Sequence, residues 1–258
     1  MPSGVFRAKR LLAEGVAAGR QLFRLPANEG NRIVTFHAID TLVDGDMNGI
    51  YNMTRQTFTK HVCVMKRLSD SPQGFQVVPV GGLGDRTIAI SFDDGYASTL
   101  TVAAKLLAAS NIPFCVYVTP MLIDSADRRY LDRRQLFELS RIPGVTIGAH
   151  GYRHVPLSSL TVVERRRQLT DARMWLEDIV QCEVRSMSYP FGDTPPGIQD
   201  VARDAGYELG ACSVWGVNHH QTDRMMLRRI DLWEGDSERS VVSKVEGQWD
   251  WIMGARTK

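Results

Sequence analysis

Long apolar runs and net charge are both nearly absent from this sequence of 258 residues. No segment approaches the roughly 18 to 20 apolar residues of a membrane-spanning helix, and the N-terminus lacks a signal peptide's unbroken apolar stretch. We therefore expect a cytoplasmic protein. The 31 Lys and Arg residues nearly balance the 29 Asp and Glu residues, leaving a net charge of +2. This balance gives no field that favours nucleic acid, so we expect no nucleic-acid partner.

Cysteine is scarce, and its spacing suits neither a metal site nor a disulfide framework. We expect buried free thiols at the four positions, which are Cys63, Cys115, Cys182 and Cys212. Hydrophobic residues make up 43% of the chain and charged residues 23%, which is ordinary for a globular protein. A chain of this length suits a single domain with a sizeable core.

Residues 5–24 have the periodicity of an amphipathic helix with a mainly basic polar face. Its apolar arc consists of Val5, Leu11, Leu12, Val16, Leu22 and Phe23. Such a helix packs on its own domain or a partner, or lies on an anionic membrane surface. We assign residues 1–30 to this helix and a linker, and residues 31–258 to one domain.

Beyond residue 32, short apolar runs rich in Val, Ile and Phe alternate with helical patterns, which indicates βα units and a parallel sheet. The strand candidates are residues 33–38, 75–80, 87–92, 114–118, 145–149, 187–189, 208–214 and 226–232. The main helix candidates are residues 54–68, 161–180, 200–205 and 237–254. This alternation favours a distorted (β/α) barrel of about seven to eight strands over an open sheet.

Two adjacent carboxylates, Asp93 and Asp94, follow the strand candidate 87–92 and precede Gly95. Active sites of barrels are built at the carboxyl ends of the strands. Two like charges side by side raise the pKa of one of them unless a cation lies beside them, so a metal ion is a natural partner. The alternative is a solvated Asp-Gly turn.

A second strand end supplies His150 and His154, four residues apart. On one helical turn, residues with this spacing point the same way and can chelate one ion. Two imidazoles and one carboxylate form a three-ligand set that leaves positions open for water and substrate. A third strand end, residues 188–192, carries Pro and Gly in a tight turn whose backbone N–H groups can point into a site.

These three motifs, in this order and spacing, resemble the polysaccharide deacetylase family over roughly residues 33–232. The resemblance implies a distorted (β/α) barrel that uses a divalent metal to hydrolyse N-acetyl groups on amino sugars. It implies that Asp93 is the general base and that the metal ligands are Asp94, His150 and His154. It also implies that the backbone N–H of Phe191 helps to stabilise the oxyanion.

The sequence departs from the family's commonest pattern at the third motif. Many members place an arginine just before its proline, whereas this chain has Ser188 and Tyr189 there. Either Arg228 or Arg229, at the end of the last strand candidate, is a substitute that would orient the base.

A second departure concerns the general acid, because no histidine follows His220. Many members protonate the leaving amine with a late histidine. Closure of a barrel brings the first strand beside the last, so His37 at the end of the first strand can replace it. We expect Asp231 to hold the proton on His37. The alternatives for the acid are His219 and His220 in a solvated loop, while His61 is expected on the surface of a helix.

The sequence therefore predicts a metal-dependent carbohydrate deacetylase of cell-surface polysaccharide biosynthesis. Its substrate would be an amino sugar in a polysaccharide or in a lipid-linked or nucleotide-linked precursor. The alternatives are a sugar deformylase and a non-catalytic sugar-binding barrel. Zinc is the first expectation for the ion, although cobalt, nickel or iron also suit two histidines and one carboxylate.

Overall fold

The computed structural model describes residues 10–16, 19, 30–46, 48–71, 74–82 and 84–250. The strands in these ranges are β1 (Asn31–Phe36), β2 (Ala38–Ile39), β3 (Asn52–Met53), β4 (Gln76–Val77), β5 (Thr87–Phe92), β6 (Phe114–Val118), β7 (Val145–Ala149), β8 (Ser186–Ser188), β9 (Leu209–Ala211) and β10 (Arg229–Asp231). The α-helices are α1 (Arg55–Asp70), α2 (Ala104–Ala109), α3 (Pro120–Ile123), α4 (Arg133–Ser140), α5 (Val162–Val180), α6 (Ile198–Asp204) and α7 (Glu238–Val245). A π-helical turn, Thr99–Ala103, precedes α2, and two 3₁₀ turns cover Leu157–Ser159 and Pro190–Gly192.

Seven parallel strands form a nearly closed barrel in the order β10-β1-β5-β6-β7-β8-β9. β1 lies between β5 and β10, and its residue Thr35 pairs with both Ser91 of β5 and Asp231 of β10. On the far side, Ala211 of β9 forms a parallel bridge to Leu227, just before β10. The predicted distorted (β/α) barrel is confirmed, and so is the placement of the first strand beside the last.

The strand candidate 75–80 does not become a full strand of the barrel. Only Gln76 and Val77 are extended, and they pair with Thr87 and Ile88 at the start of β5. β6 pairs with β5 only at Ser91 and Phe92, near its other end. β5 therefore shares one of its edges between two neighbours, which is where the barrel is distorted.

Alternation along the strands gives the barrel interior an apolar base and a polar mouth. Ile33 of β1 and Ala89 of β5 belong to a buried apolar cluster inside the barrel. Two residues further along, Thr35 and Ser91 are joined by a 3.1 Å hydrogen bond between their hydroxyl groups. A further step of two residues reaches His37 and Asp93, so the site lies at the carboxyl ends of the strands.

The helix predictions succeed where capping residues mark the ends. Thr161 and Glu164 form the predicted capping box at the start of α5, and that helix ends at Val180 as predicted. The predicted helix 237–254 instead ends at Val245. Gly247 follows with a φ of +79°, a left-handed conformation that stops the helix. Residues 251–254 of that prediction lie outside the described residues.

Two of the four cysteines contradict their prediction. Cys115 and Cys212 are buried free thiols as expected, but Cys63 and Cys182 are exposed. Cys63 lies within α1 and Cys182 follows the end of α5. The apolar residues near them in the sequence do not show which side of a helix faces solvent.

The N-terminal segment is helical over residues 10–16, while most of the predicted helix 5–24 lies outside the described residues. Ala13 is buried, but Leu11 and Leu12 are 68% and 61% exposed. The predicted apolar arc is therefore not the face that packs on the domain in this segment. In the part of the chain that the structure describes, no helix is long and apolar enough to cross a membrane.

Gly148 of β7 gives a test of the barrel interior beneath the site. A Cβ atom at this position would lie 2.5 Å from the Tyr117 ring and 2.7 Å from Ser186 Oγ. We predict that Gly148→Ala lowers the free energy of unfolding by about 1–3 kcal/mol through overpacking, measured by urea denaturation. Gly15→Ala is the control, because its Cβ would meet nothing within 4 Å. Equal stability of the two variants would contradict the packed interior.

Candidate active site

One cavity of about 630 Å³ opens at the carboxyl ends of the barrel strands. Every residue that the sequence predicted for the site lines it. These residues are His37, Asp93, Asp94, His150, His154, Phe191, Arg229 and Asp231. The barrel therefore brings together side chains that are spread over most of the chain.

Three of these side chains converge as a candidate set of metal ligands. Oδ1 of Asp94 lies 3.5 Å from Nε2 of His150 and 3.2 Å from Nε2 of His154. All three ligand atoms lie within 4.8 Å of one another. Ligands at their usual distances around a tetrahedral ion would be roughly 3.3–3.6 Å apart. Oδ1 of Asp94 is also buried without a hydrogen-bond partner among the described residues, so this set fits a divalent ion.

His150 presents a lone pair toward this point, and His154 is uncharged. Nδ1 of His150 lies 2.9 Å from the carbonyl oxygen of Ser188, and a proton donated there leaves Nε2 as the acceptor. Burial, together with the neighbouring His150, lowers the pKa of His154 to about 4. His154 is therefore neutral at neutral pH, which is the form that binds a metal.

The backbone around the ligands is irregular, and the predicted helical turn is wrong. His150 directly follows β7, and the next residues up to Pro156 form no helix. Asp94 and His154 instead have left-handed φ values of +73° and +53°. Conformations of this kind cost energy in residues other than glycine and cluster at functional sites. The histidines meet because of this turn and not because of a four-residue helical repeat.

Asp93 is held by Arg229 in a buried, bidentate ion pair. Nη1 and Nη2 of Arg229 lie 2.7 Å and 2.8 Å from the two carboxylate oxygens of Asp93. Burial alone would raise the pKa of Asp93, but the Arg229 guanidinium outweighs it and holds this pKa well below its usual range. Of the two arginines left open by the sequence, Arg229 makes this contact, while Arg228 is exposed.

Ser188 is a residue of the site that sequence reasoning missed. Its Oγ lies 2.6 Å from Nδ1 of His150 and donates to Oδ2 of Asp93 at 3.3 Å. Nη2 of Arg229 donates to the same hydroxyl at 3.4 Å. The sequence did contain a signal for Ser188. The family resemblance leads one to expect an arginine just before Pro190, and this chain has Ser188 and Tyr189 there. A small side chain here leaves room for Arg229, which enters from β10.

His37 lies in the cavity, but its predicted pairing with Asp231 is wrong. Within the described residues, no ion pair joins the two side chains, and Oδ2 of Asp231 accepts a 3.0 Å hydrogen bond from Nε1 of Trp215. The ring of His37 contacts Tyr51 instead, with 4.8 Å between ring centroids. Nδ1 of His37 is buried and has no hydrogen-bond partner among the described residues.

Tyr51 is held beside His37 by a loop that the sequence did not single out. The carboxylate of Asp46 accepts hydrogen bonds from the backbone N–H groups of Ile50, Tyr51 and Asn52 at 2.9, 2.9 and 2.8 Å. Three such bonds hold the turn that leads into β3. They hold the backbone at Tyr51, whose ring lines the cavity next to His37.

Phe191 and the remaining histidines complete the comparison with the sequence. Phe191 has a left-handed φ of +59°, and its ring lies 4.5 Å from that of His154. His219 and His220 are exposed and do not line the cavity. His61 is buried, with 1% exposure, against the backbone of Asp236, so its predicted surface position is wrong.

A sequence profile of the polysaccharide deacetylase family matches residues 81–210, which is half of the chain. The chain belongs to this family. The matched segment contains Asp93, Asp94, Phe191 and the two histidines of the candidate ligand set, whereas His37 and Arg229 lie outside it. The comparison with curated protein sequences returned no match.

Solved structures of deacetylases share the fold. The deacetylase PplD of Streptococcus pyogenes, in complex with acetate, is 16% identical with a TM-score of 0.73, covering 85% of this chain and 99% of its own. IcaB of Ammonifex degensii is 18% identical with a TM-score of 0.70, covering 86% and 99%. The deacetylase domain of BpsB from Bordetella bronchiseptica is 19% identical with a TM-score of 0.62, covering 79% and 96%.

The ligand set makes a prediction about metal content. We expect the purified deacetylase to contain about one divalent ion per chain and the double variant His150→Ala, His154→Ala to contain almost none. The reason is that one carboxylate alone binds a divalent ion weakly. Elemental analysis measures this content, with the exposed pair His219→Ala, His220→Ala as control. Full occupancy in the first double variant would contradict the ligand set.

Proposed function

We propose that this protein removes the N-acetyl group from an amino sugar in a polysaccharide or in its lipid-linked or nucleotide-linked precursor. One observation carries the proposal: a buried, ionised carboxylate lies directly beside the metal-ligand set. Oδ2 of Asp93 is 3.9 Å from Nε2 of His150, one of the ligands. Family membership and the fold support the same reaction. The Streptococcus pyogenes deacetylase was solved with acetate, the acid that hydrolysis of an N-acetyl group releases.

In this mechanism, a divalent ion held by Asp94, His150 and His154 would supply Lewis acidity to the acyl oxygen and the attacking water. Asp93 accepts a proton from that water as its oxygen bonds to the carbonyl carbon. Arg229 keeps Asp93 ionised and in place for this step. The backbone N–H of Phe191 donates to the negative oxygen of the tetrahedral intermediate. We favour zinc as the ion, for the chemistry of the ligand set.

The second half of the reaction needs an acid, and we assign that role to His37. The C–N bond breaks with its electron pair moving to nitrogen, which takes a proton from the imidazole and leaves as a free amine. His37 is the histidine of the cavity that is not a metal ligand, and its Nδ1 has no partner among the described residues. The edge of the Tyr51 ring supports the imidazole from one side.

A hydrolysis assay tests the proposed function against its rivals. Amine release is measured from N-acetyl and N-formyl glucosamine oligomers, with and without chelator, and with Asp93→Asn as the base-deficient control. We predict acetyl hydrolysis that chelator abolishes and that Asp93→Asn lowers by roughly 10²-fold or more at unchanged metal content. Preference for the formyl substrate would make the protein a deformylase. Sugar binding without hydrolysis would make it a sugar-binding barrel.

The assignment of His37 makes a separate prediction. His37→Ala should keep its metal and lower turnover of the natural amide by roughly 10²-fold, because the amine then leaves without a proton. The loss should be much smaller on an activated ester, whose leaving group needs no proton. His219→Ala, in the exposed loop, serves as control and should behave as wild type. Equal losses on both substrates would assign His37 to packing or binding.

Residues 5–24 give a proposal about location. We propose that this segment lies on the anionic cytoplasmic face of a membrane, since Leu11 and Leu12 are exposed and the segment is rich in Lys and Arg. Co-sedimentation with anionic liposomes should weaken in a Leu11→Ser, Leu12→Ser variant but not in a variant of the exposed residues Val162 and Val163. Equal binding of both variants, or none by the wild type, would leave the segment a helix packed on its domain or a partner.

A further inference from the structure

A buried ion pair lies behind one wall of the cavity. Nζ of Lys244 is 2.6 Å from Oδ2 of Asp236, and both side chains are fully buried. Apolar side chains of similar volume often stabilise a fold as well as a buried ion pair does, because both charges of the pair lose their hydration. Fold stability alone therefore does not account for this pair.

Three tryptophans surround the Lys244 ammonium group. Nζ lies 3.5, 4.8 and 5.2 Å from the ring centroids of Trp233, Trp249 and Trp215, within the range of cation–π attraction. The same three side chains line the cavity. We call Lys244, Asp236 and the three tryptophans the ammonium cage. The charge at its centre fixes the orientation of rings that face the space for substrate.

Asp231 connects the ammonium cage to that space. Nζ of Lys244 donates to the backbone oxygen of Asp231 at 3.1 Å, and Nε1 of Trp215 donates to its Oδ2 at 3.0 Å. Asp231 ends β10, two residues after Arg229, and lines the cavity. The cage thus holds both the backbone and the carboxylate of this residue. Among the described residues, no hydrogen bond engages its other carboxylate oxygen.

We propose that Lys244 is a positioning residue of the deacetylase, acting through Asp231, whose carboxylate accepts hydrogen bonds from hydroxyl groups of the bound sugar. This inference rests on the proposed function, because it assigns the sugar-binding wall of the same cavity. A carboxylate is a strong acceptor for sugar hydroxyls. It binds them well only if it is already fixed in place, since ordering it during binding would cost affinity. The ammonium cage supplies that order.

The first test removes both charges of the pair together, so that neither is left buried without a partner. In Lys244→Met, Asp236→Asn, we expect KM for an N-acetylated glucosamine oligomer to rise about tenfold while kcat stays within about threefold. The control is Arg173→Met, Glu177→Gln. It removes a partly buried pair, 3.1 Å apart, within α5, and neither residue lines the cavity. An unchanged KM in the cage variant, or an equal rise in the control, would overturn the proposal.

A second test asks whether the effect passes through Asp231. In an Asp231→Ala background, removal of the Lys244–Asp236 pair should raise KM no further, because the carboxylate that it positions is gone. An additional rise would contradict the proposal. Trp215→Phe keeps an aromatic ring but removes the N–H that donates to Asp231. This variant should raise KM even if the cage variant folds poorly.

Tryptophan fluorescence separates this inference from the proposed function. Titration with the deacetylated glucosamine oligomer should change the emission of the wild type, and the cage variant should bind about tenfold more weakly. If the wild type hydrolyses no acetamido sugar, the proposed function fails, while the binding titration still decides the role of Lys244. Equal binding by wild type and cage variant would refute the positioning role even in an active deacetylase.

Discussion

The ion pair between Asp93 and Arg229 joins two strands that are far apart in sequence, and the whole site depends on it. β5 carries Asp93 and β10 carries Arg229, and β1 lies between these strands in the barrel. The Arg229 guanidinium therefore extends past the end of β1 and donates to both carboxylate oxygens of Asp93. This contact requires that β10 pair beside β1, and it keeps Asp93 ionised despite burial. The neighbouring Asp94 is left to the candidate ligand set.

The side chains around this ion pair follow from the alternation of side chains along a strand, in which every second residue points into the barrel. Inward positions of β1 and β5 run from apolar side chains at the base, through Thr35 and Ser91, to the functional side chains at the mouth. The hydroxyl of Ser188, at the end of β8, lies within hydrogen-bond distance of all three side chains, Asp93, Arg229 and His150. A shift of Ser188 would therefore weaken hydrogen bonds to side chains from three other strand ends.

Much of this arrangement could be predicted from the sequence, because apolar runs such as 87–92 and 145–149 are bounded by the residues that carry the chemistry. The candidate ligands Asp94, His150 and His154 do converge, but not for the reason that their spacing suggested: left-handed turns at Asp94 and His154, and not a helix, direct them to one point. The ammonium cage was not predicted. Four of its five members lie within residues 233–249, but Trp215 follows β9 and joins them only in the folded chain. No helix or strand period predicts such a grouping.

The central claim is that one ion, bound by the three-ligand set beside Asp93, is needed for amide hydrolysis. The most direct measurement is a titration of chelated protein with zinc, following acetate release from an N-acetylated glucosamine oligomer. The account predicts no activity in the chelated protein and a linear rise that stops at about one equivalent per chain. Full activity without metal, or a rise that continues well beyond that equivalence point, would contradict it.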